Sequence, residues 1–146
     1  MGAHTFKDRE HQKALAEKAM RVLELAVTEG VVPGGGLAYL RCIPAVQAAA
    51  SGMAEQAEAL GAAVIATALE APFSRIIANH GRVHPPLAVH EARATGLGFD
   101  VRCGEYADML AAGVVDSRAV LAGALDAALS AATMALTTEV IVLHER

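Results

Sequence analysis

Aromatic residues are scarce in this 146-residue chain: Phe, Tyr and Trp together make up 3%, and tryptophan is absent. β-Sandwiches and barrels rely on aromatic and β-branched strand residues, so this scarcity argues against those folds. Hydrophobic residues still make up 54% of the chain, mostly as Ala, Val and Leu. Because alanine is the strongest intrinsic helix former, the composition predicts a mainly helical protein. The length suits one domain with a sizeable core.

Clustered positive charge is also absent, and the net charge is −4. Nucleic-acid binding requires a basic face, so we expect no nucleic-acid partner. The two cysteines, Cys42 and Cys103, are too few for a disulfide framework. The polar residues 1–10 contain no apolar signal core. These absences together predict a reduced, cytoplasmic protein.

One long apolar stretch, Ala119 to Thr138, has about the length of a membrane span. Asp126 lies near its middle, and a central Asp costs roughly 3 kcal/mol on membrane insertion. Ala, Ser, Thr and Gly dominate the stretch instead of Leu and Ile. We therefore interpret it as a buried helix of a soluble assembly and expect no membrane partner.

Hydrophobic spacing and helix-ending residues predict a series of helices separated by Gly and Pro. Gly96 to Val101 is too rich in glycine for a helix and is predicted to be a short hairpin or loop. Residues 139–143 are predicted to form one C-terminal strand, whose partner would come from that hairpin, another chain or an absent segment. The predicted helices are 7–29, 37–50, 54–70, one beginning at Pro72, 87–94, 106–112 and 118–136.

Four separated segments carry a specific signal and follow one another in order. They are 29–41 (EGVVPGGGLAYLR), 68–79 (ALEAP, then IIAN), 105–116 (EYADM, then GVVD) and 135–139 (ALTTE). In these segments the chain resembles the group I, bacterial-type chaperonins, and the resemblance runs from Gly2 to about Val142. It implies that residues 1–6 end an intermediate-domain-like segment. Residues 7–146 would form a partial equatorial domain: a mainly α, helical bundle with a short β hairpin and one C-terminal strand.

The resemblance also implies a nucleotide site that could hold ATP or ADP. Asp116 matches a ribose-binding aspartate, although an N-cap of the last helix is an alternative or additional role. The glycine turn lies against the nucleotide in the family, but it could instead serve close helix packing here. Val101 and Arg102 would crowd a base pocket that the family lines with small residues. The implied contacts are Gly34, Gly35, Asp100, Val101, Arg102, Val114 and Asp116.

The chain departs from the family where hydrolysis takes place. A phosphate-binding Gly-Asp-Gly-Thr-Thr loop and a magnesium-binding aspartate are absent, and Lys18 stands at the catalytic aspartate position. Lysine cannot orient an attacking water as a carboxylate does. We therefore expect no enzyme activity, no catalytic residues, and Mg²⁺ only with the missing half. His80, His84 and His90 are too loosely spaced for a metal site.

These observations predict a truncated chaperonin-like protein, related to ATP-dependent folding chaperones, that acts as an oligomerising module without ATP hydrolysis of its own. Its partners would be copies of itself or chaperonin subunits, because uncovered apolar helix faces favour association. Two alternatives stay open. The chain could be a residual ADP- or ATP-binding domain, or a fragment of a full chaperonin whose folding activity needs the missing half.

Overall fold

The structure is a computed structural model that describes residues 6–81 and 83–139. The predicted strand at 139–143 falls outside this range apart from Glu139, and the predicted segment 1–6 does so apart from Phe6. Helices dominate, as the composition predicts. They are α1 (Phe6–Glu29), α2 (Leu37–Ser51), α3 (Gln56–Ala68), α4 (Ala71–His80), α5 (Pro85–Thr95) and α6 (Arg118–Thr137).

Four three-residue strands accompany the helices: β1 (Val31–Pro33), β2 (Gly98–Asp100), β3 (Glu105–Ala107) and β4 (Val115–Ser117). β1 pairs with β4, and β2 pairs with β3 as an antiparallel hairpin in which Phe99 faces Tyr106. The hairpin was one of two predictions for this stretch. Strand β1 was not predicted, because its partner β4 lies far along the chain.

The chain divides into two compact units. The first, the α1/α6 pair, consists of residues 1–31 and 117–146. Gly30, with φ 87°, ends α1, and its N–H donates to Ala26 O at 3.0 Å. The Arg118 backbone N–H donates to Gly30 O at 3.2 Å, and its guanidinium bonds the Glu29 carboxylate at 2.7 Å. The end of α1 is thereby joined to the start of α6.

The second unit, the four-helix unit, consists of residues 32–116 and holds α2 to α5 with the hairpin. α2 packs on α3, and α4 packs on α5. Phe99 stacks edge-on with Tyr106 at 5.3 Å and with His80 at 5.2 Å between ring centroids. The apolar core residues of this unit are Leu37, Leu40, Ile43, Ala62, Ala66, Leu69, Phe73, Ile77, Ala88, Val89, Ala92, Phe99 and Met109.

The predicted helix at 106–112 is wrong. Residues 105–107 form β3, and a turn follows. The Asp108 carboxylate accepts hydrogen bonds from the backbone N–H groups of Leu110 (2.9 Å) and Ala111 (3.4 Å), which stabilises a turn in place of a helix. Gly113, at φ 70°, then redirects the chain into β4.

Two helical stretches, Gln56–His80 and Arg118–Thr137, are long and apolar enough to cross a bilayer by length and composition alone. Core helices of soluble proteins pass the same test, so this is weak evidence for a membrane span. The absence of a membrane partner stays a prediction.

Candidate functional site

The glycine loop, defined here as Gly34 to Gly36, connects β1 to α2 inside the four-helix unit. The Gly34 N–H donates to Val114 O at 2.9 Å, and a Cβ on Gly34 would lie 3.1 Å from that same oxygen. Gly35 and Gly36 have φ values of 68° and 80°, which disfavour any residue with a side chain. The loop therefore packs closely against Val114. This packing and the backbone conformation explain why glycine occupies these three positions, whether or not a ligand binds.

Met109 lies between this loop and the hairpin. Its Cε would be 3.1 Å from a Cβ on Gly35, and its side chain would overlap a Cβ on Gly98. The Val114 N–H donates to Met109 O at 2.8 Å, and Met109 itself is 2% exposed. Sequence reasoning missed Met109, because its contacts with Gly35 and Gly98 join segments that are distant along the chain.

Asp116 lies in β4, two residues after Val114, and is half-buried. Tyr39, in the first turn of α2, is its electrostatic neighbour: burial, then the charges of Asp116 and Cys42, raise the pKa of the Tyr39 phenol. The Tyr39 phenol and the Asp116 carboxylate therefore lie near each other beside the glycine loop. Tyr39 is a second residue that sequence reasoning missed.

The capping role predicted for Asp116 is wrong, because the N-cap of α6 is Ser117. The Ser117 side chain makes no capping hydrogen bond, and its buried Oγ has no hydrogen-bond partner within the described part of the chain. The Asp116 carboxylate is therefore not committed to holding the helix terminus.

Asp100, Val101 and Arg102 form the turn of the hairpin. The Asp100 carboxylate accepts from the Arg102 guanidinium at 2.8 Å and 3.1 Å and from the Arg102 backbone N–H at 2.9 Å. The Asp100 side chain is 7% exposed, whereas that of Arg102 is 69% exposed. Asp100, Val101 and Arg102 were predicted to lie beside the base. The polar side chains of Asp100 and Arg102 are bonded to each other, and Val101 is exposed.

The hydrogen bonds from Arg102 lower the pKa of Asp100 to about 2. Since this folded-state pKa lies below the ordinary value, the pair contributes stability above about pH 4 and loses it as the pH falls through 2. Arg102→Ala should lower the urea midpoint slightly at neutral pH, and the difference from wild type should vanish near pH 2. Arg102→Lys keeps a cation but loses the bidentate contact, so its urea midpoint at neutral pH should lie between those of wild type and Arg102→Ala. A difference that persists in acid would assign the effect to packing of Arg102.

Of the predicted site residues, the structure brings together Gly34 and Val114 directly. Asp116 follows two residues after Val114, and the hairpin turn follows Gly98, which packs on Met109 as Gly35 does. Sequence-distant segments therefore meet around Met109. Whether nucleotide contacts them stays a prediction.

Several grooves of the four-helix unit lie away from these residues. Three of them, about 280, 400 and 300 Å³, share Arg93 as a lining residue. Arg93 forms an ion pair with Glu70 at 3.0 Å, and Arg41 donates to Gly96 O at 2.8 Å. No predicted nucleotide residue lines these three grooves.

Lys18, the residue at the predicted catalytic position, is exposed on α1. Among the histidines, His80 packs on Phe99, while His84 and His90 are exposed. Within residues 6–81 and 83–139, no group of three His, Cys, Asp or Glu side chains could hold a metal ion.

Comparisons with known proteins bear on this arrangement. Residues 5–146 match the TCP-1/cpn60 chaperonin family. The fold is similar to a solved structure, the crystal structure of a group III chaperonin in the open state, with a TM-score of 0.84 and 28% sequence identity. That alignment covers 97% of this chain and 30% of the other, so the chain spans about 30% of the chaperonin that it matches. The predicted equatorial-domain-like fold is confirmed.

The prediction that the chain is not an enzyme is wrong as a description of its family. Chaperonins of this family hydrolyse ATP, so the chain is related to ATPases. That prediction relied on Lys18 at the position of the catalytic aspartate and on two groups that are absent from this sequence. Because the match covers only 30% of a chaperonin chain, their absence here is no argument against an ATPase.

Proposed function

Because this chain belongs to the TCP-1/cpn60 chaperonin family, we propose that it forms the part of a chaperonin subunit that holds the ribose and base of ATP or ADP. Mg²⁺ and the phosphates would be bound mainly by other parts of a subunit. The observation that carries the proposal is the glycine loop bonded to Val114, with the half-buried Asp116 carboxylate two residues further on.

Simple chemistry supports this assignment. The glycine loop leads into the N-terminus of α2, where the helix dipole and backbone N–H groups favour an anion. A carboxylate accepts hydrogen bonds from two ribose hydroxyls, and Asp116 is not occupied by capping α6. The ribose would thus meet the Asp116 carboxylate, and the α2 N-terminus would add a favourable field for the phosphates that other parts of a subunit mainly bind.

We further propose that the protein is a cytoplasmic, group I-like chaperonin component that takes part in ATP-dependent protein folding. The four sequence segments described above support the group I assignment, while the solved structure belongs to group III at 28% identity. The composition and cysteine count support the cytoplasmic location.

Replacing Asp116 with asparagine tests the nucleotide proposal. Hydrogen bonds to charged groups are worth about 1.5–3 kcal/mol, so ADP affinity should fall about tenfold or more in titration calorimetry. Asp126→Asn is the matched control, since it removes one exposed carboxylate from α6 and should leave affinity unchanged. Equal affinity of Asp116→Asn and wild type, or no binding by wild type, would contradict the proposal.

A second function, self-association, is favoured by the α1/α6 pair. No residue of α6 is buried, although the helix is largely apolar. Exposed patches of this kind mark protein interfaces, and chaperonins form oligomeric assemblies. Among the described residues of helices α1 and α6, the exposed large apolar ones are Leu15, Met20, Val22, Leu23, Leu25, Val27, Val120, Leu129, Met134 and Leu136. We propose that they contact a second copy of the chain or another chaperonin subunit.

A further inference from the structure

We propose that Met109 is a positioning residue that couples the glycine loop to the β2–β3 hairpin, so that a nucleotide bound at the loop also displaces the hairpin. The inference rests on the nucleotide-binding function proposed above. It adds a physical link between the glycine loop and the hairpin, which are distant along the sequence but were predicted to belong to one site.

The contacts of Met109 support this link. Its methyl group packs against Gly35, and its Cγ and Sδ pack against Gly98, the first residue of β2. Its carbonyl oxygen accepts the Val114 N–H, and Val114 O in turn accepts the Gly34 N–H. A single buried residue therefore contacts the loop through its side chain and again through a short chain of backbone hydrogen bonds.

Close packing makes such an arrangement transmit displacement. Protein interiors have few voids, so a shift of one surface moves the atoms packed on it. A Cβ at Gly98 would overlap Met109, and one at Gly35 would lie 3.1 Å from its methyl carbon, so both surfaces are closely packed on this side chain. A loop that moves onto a ligand must therefore carry the thioether with it, and the thioether contacts β2 two residues before Asp100.

Truncation of Met109 should break this coupling while leaving the loop intact. On adding ADP to ¹⁵N-labelled protein, we expect amide shifts at Gly35 and also at Gly98 and Asp100. Met109→Leu, which conserves volume, should keep both responses. Met109→Ala should keep the response at Gly35, lose most of that at Gly98 and Asp100, and weaken ADP binding about fivefold, as for a modest coupling energy.

Ile77→Ala is the matched control for lost core packing. Ile77 is fully buried in α4 and is not among the nearest neighbours of Gly35 or Gly98. This variant should lower the thermal midpoint as Met109→Ala does and retain the hairpin response. A merely structural role for Met109 would make the two variants behave alike.

If Met109→Ala does not fold, the ¹³C-methyl resonance of Met109 in the wild type gives the same answer. It should shift when ADP binds. A stationary methyl signal, or a full hairpin response in Met109→Ala, would overturn the coupling while nucleotide binding stands. Absence of any ADP-induced shift at Gly35 in the wild type would overturn the nucleotide proposal and this inference together.

Discussion

Alanine at Gly36 is expected to destabilise the protein by about 3 kcal/mol, the sum of backbone strain and a collision. Gly36 has φ 80°, a left-handed conformation that costs a residue with a side chain. Its added Cβ would also lie 2.7 Å from Phe73 N and 2.9 Å from Phe73 Cα. Backbone atoms of α4 cannot rotate away as a flexible side chain can, so the glycine loop and α4 would have to separate.

Gly96→Ala separates the two contributions. Gly96 also has a left-handed φ, 73°, but apart from its own chain neighbours no atom of the described residues lies within 4 Å of its added Cβ. The free energy of unfolding of Gly96→Ala should therefore fall by only about 1 kcal/mol, the cost of backbone strain alone. Urea unfolding of both variants measures the difference. Equal losses would show that the close approach of the loop to α4 carries no energetic weight.

Lysine at Met134 is expected to weaken self-association of the protein by about tenfold or more. Met134 is 69% exposed on α6, and burial of a methionine side chain at an interface is worth about 1.5–3 kcal/mol. A lysine there would lose this contribution and introduce a charge that the interface must desolvate. The dissociation constant follows from light scattering over a dilution series.

Thr133→Lys is the matched control, because Thr133 is the exposed neighbour of Met134 and adds the same charge without removing an apolar side chain. It should associate nearly as the wild type does. If both variants weaken association equally, net charge and not the apolar surface controls it. A wild type that stays monomeric at all concentrations would contradict the self-association proposal.

Local signals predicted most of the helices correctly. The long helix ending at Gly30 and the helix beginning after Gly36 agree with α1 and α2 within a residue. Periodic apolar residues and flanking glycines suffice there, because a helix bonds only to itself. The prediction of a helix at 106–112 failed for a physical reason. The Asp108 carboxylate accepts hydrogen bonds from backbone N–H groups that a helix would use. The β1–β4 pairing was missed because it joins distant segments.

The candidate site shows a similar division. Its residues were predicted through the family resemblance, and periodicity or spacing alone indicated only a glycine turn. The contact of Gly34 with Val114, and the position of Met109 between Gly35 and Gly98, depend on tertiary packing that no local pattern encodes. Val101 and Arg102 were expected to crowd a base pocket, but the Arg102 side chain bonds the Asp100 carboxylate.

The central claim is that the glycine loop and Asp116 hold a nucleotide. A structure of the protein determined with ADP tests it most directly. We predict an Asp116 carboxylate oxygen about 2.7 Å from a ribose hydroxyl, with the nucleotide against Gly34 and Gly35. ADP bound instead in the grooves around Arg93, or Asp116 directed away from the ribose, would contradict the claim.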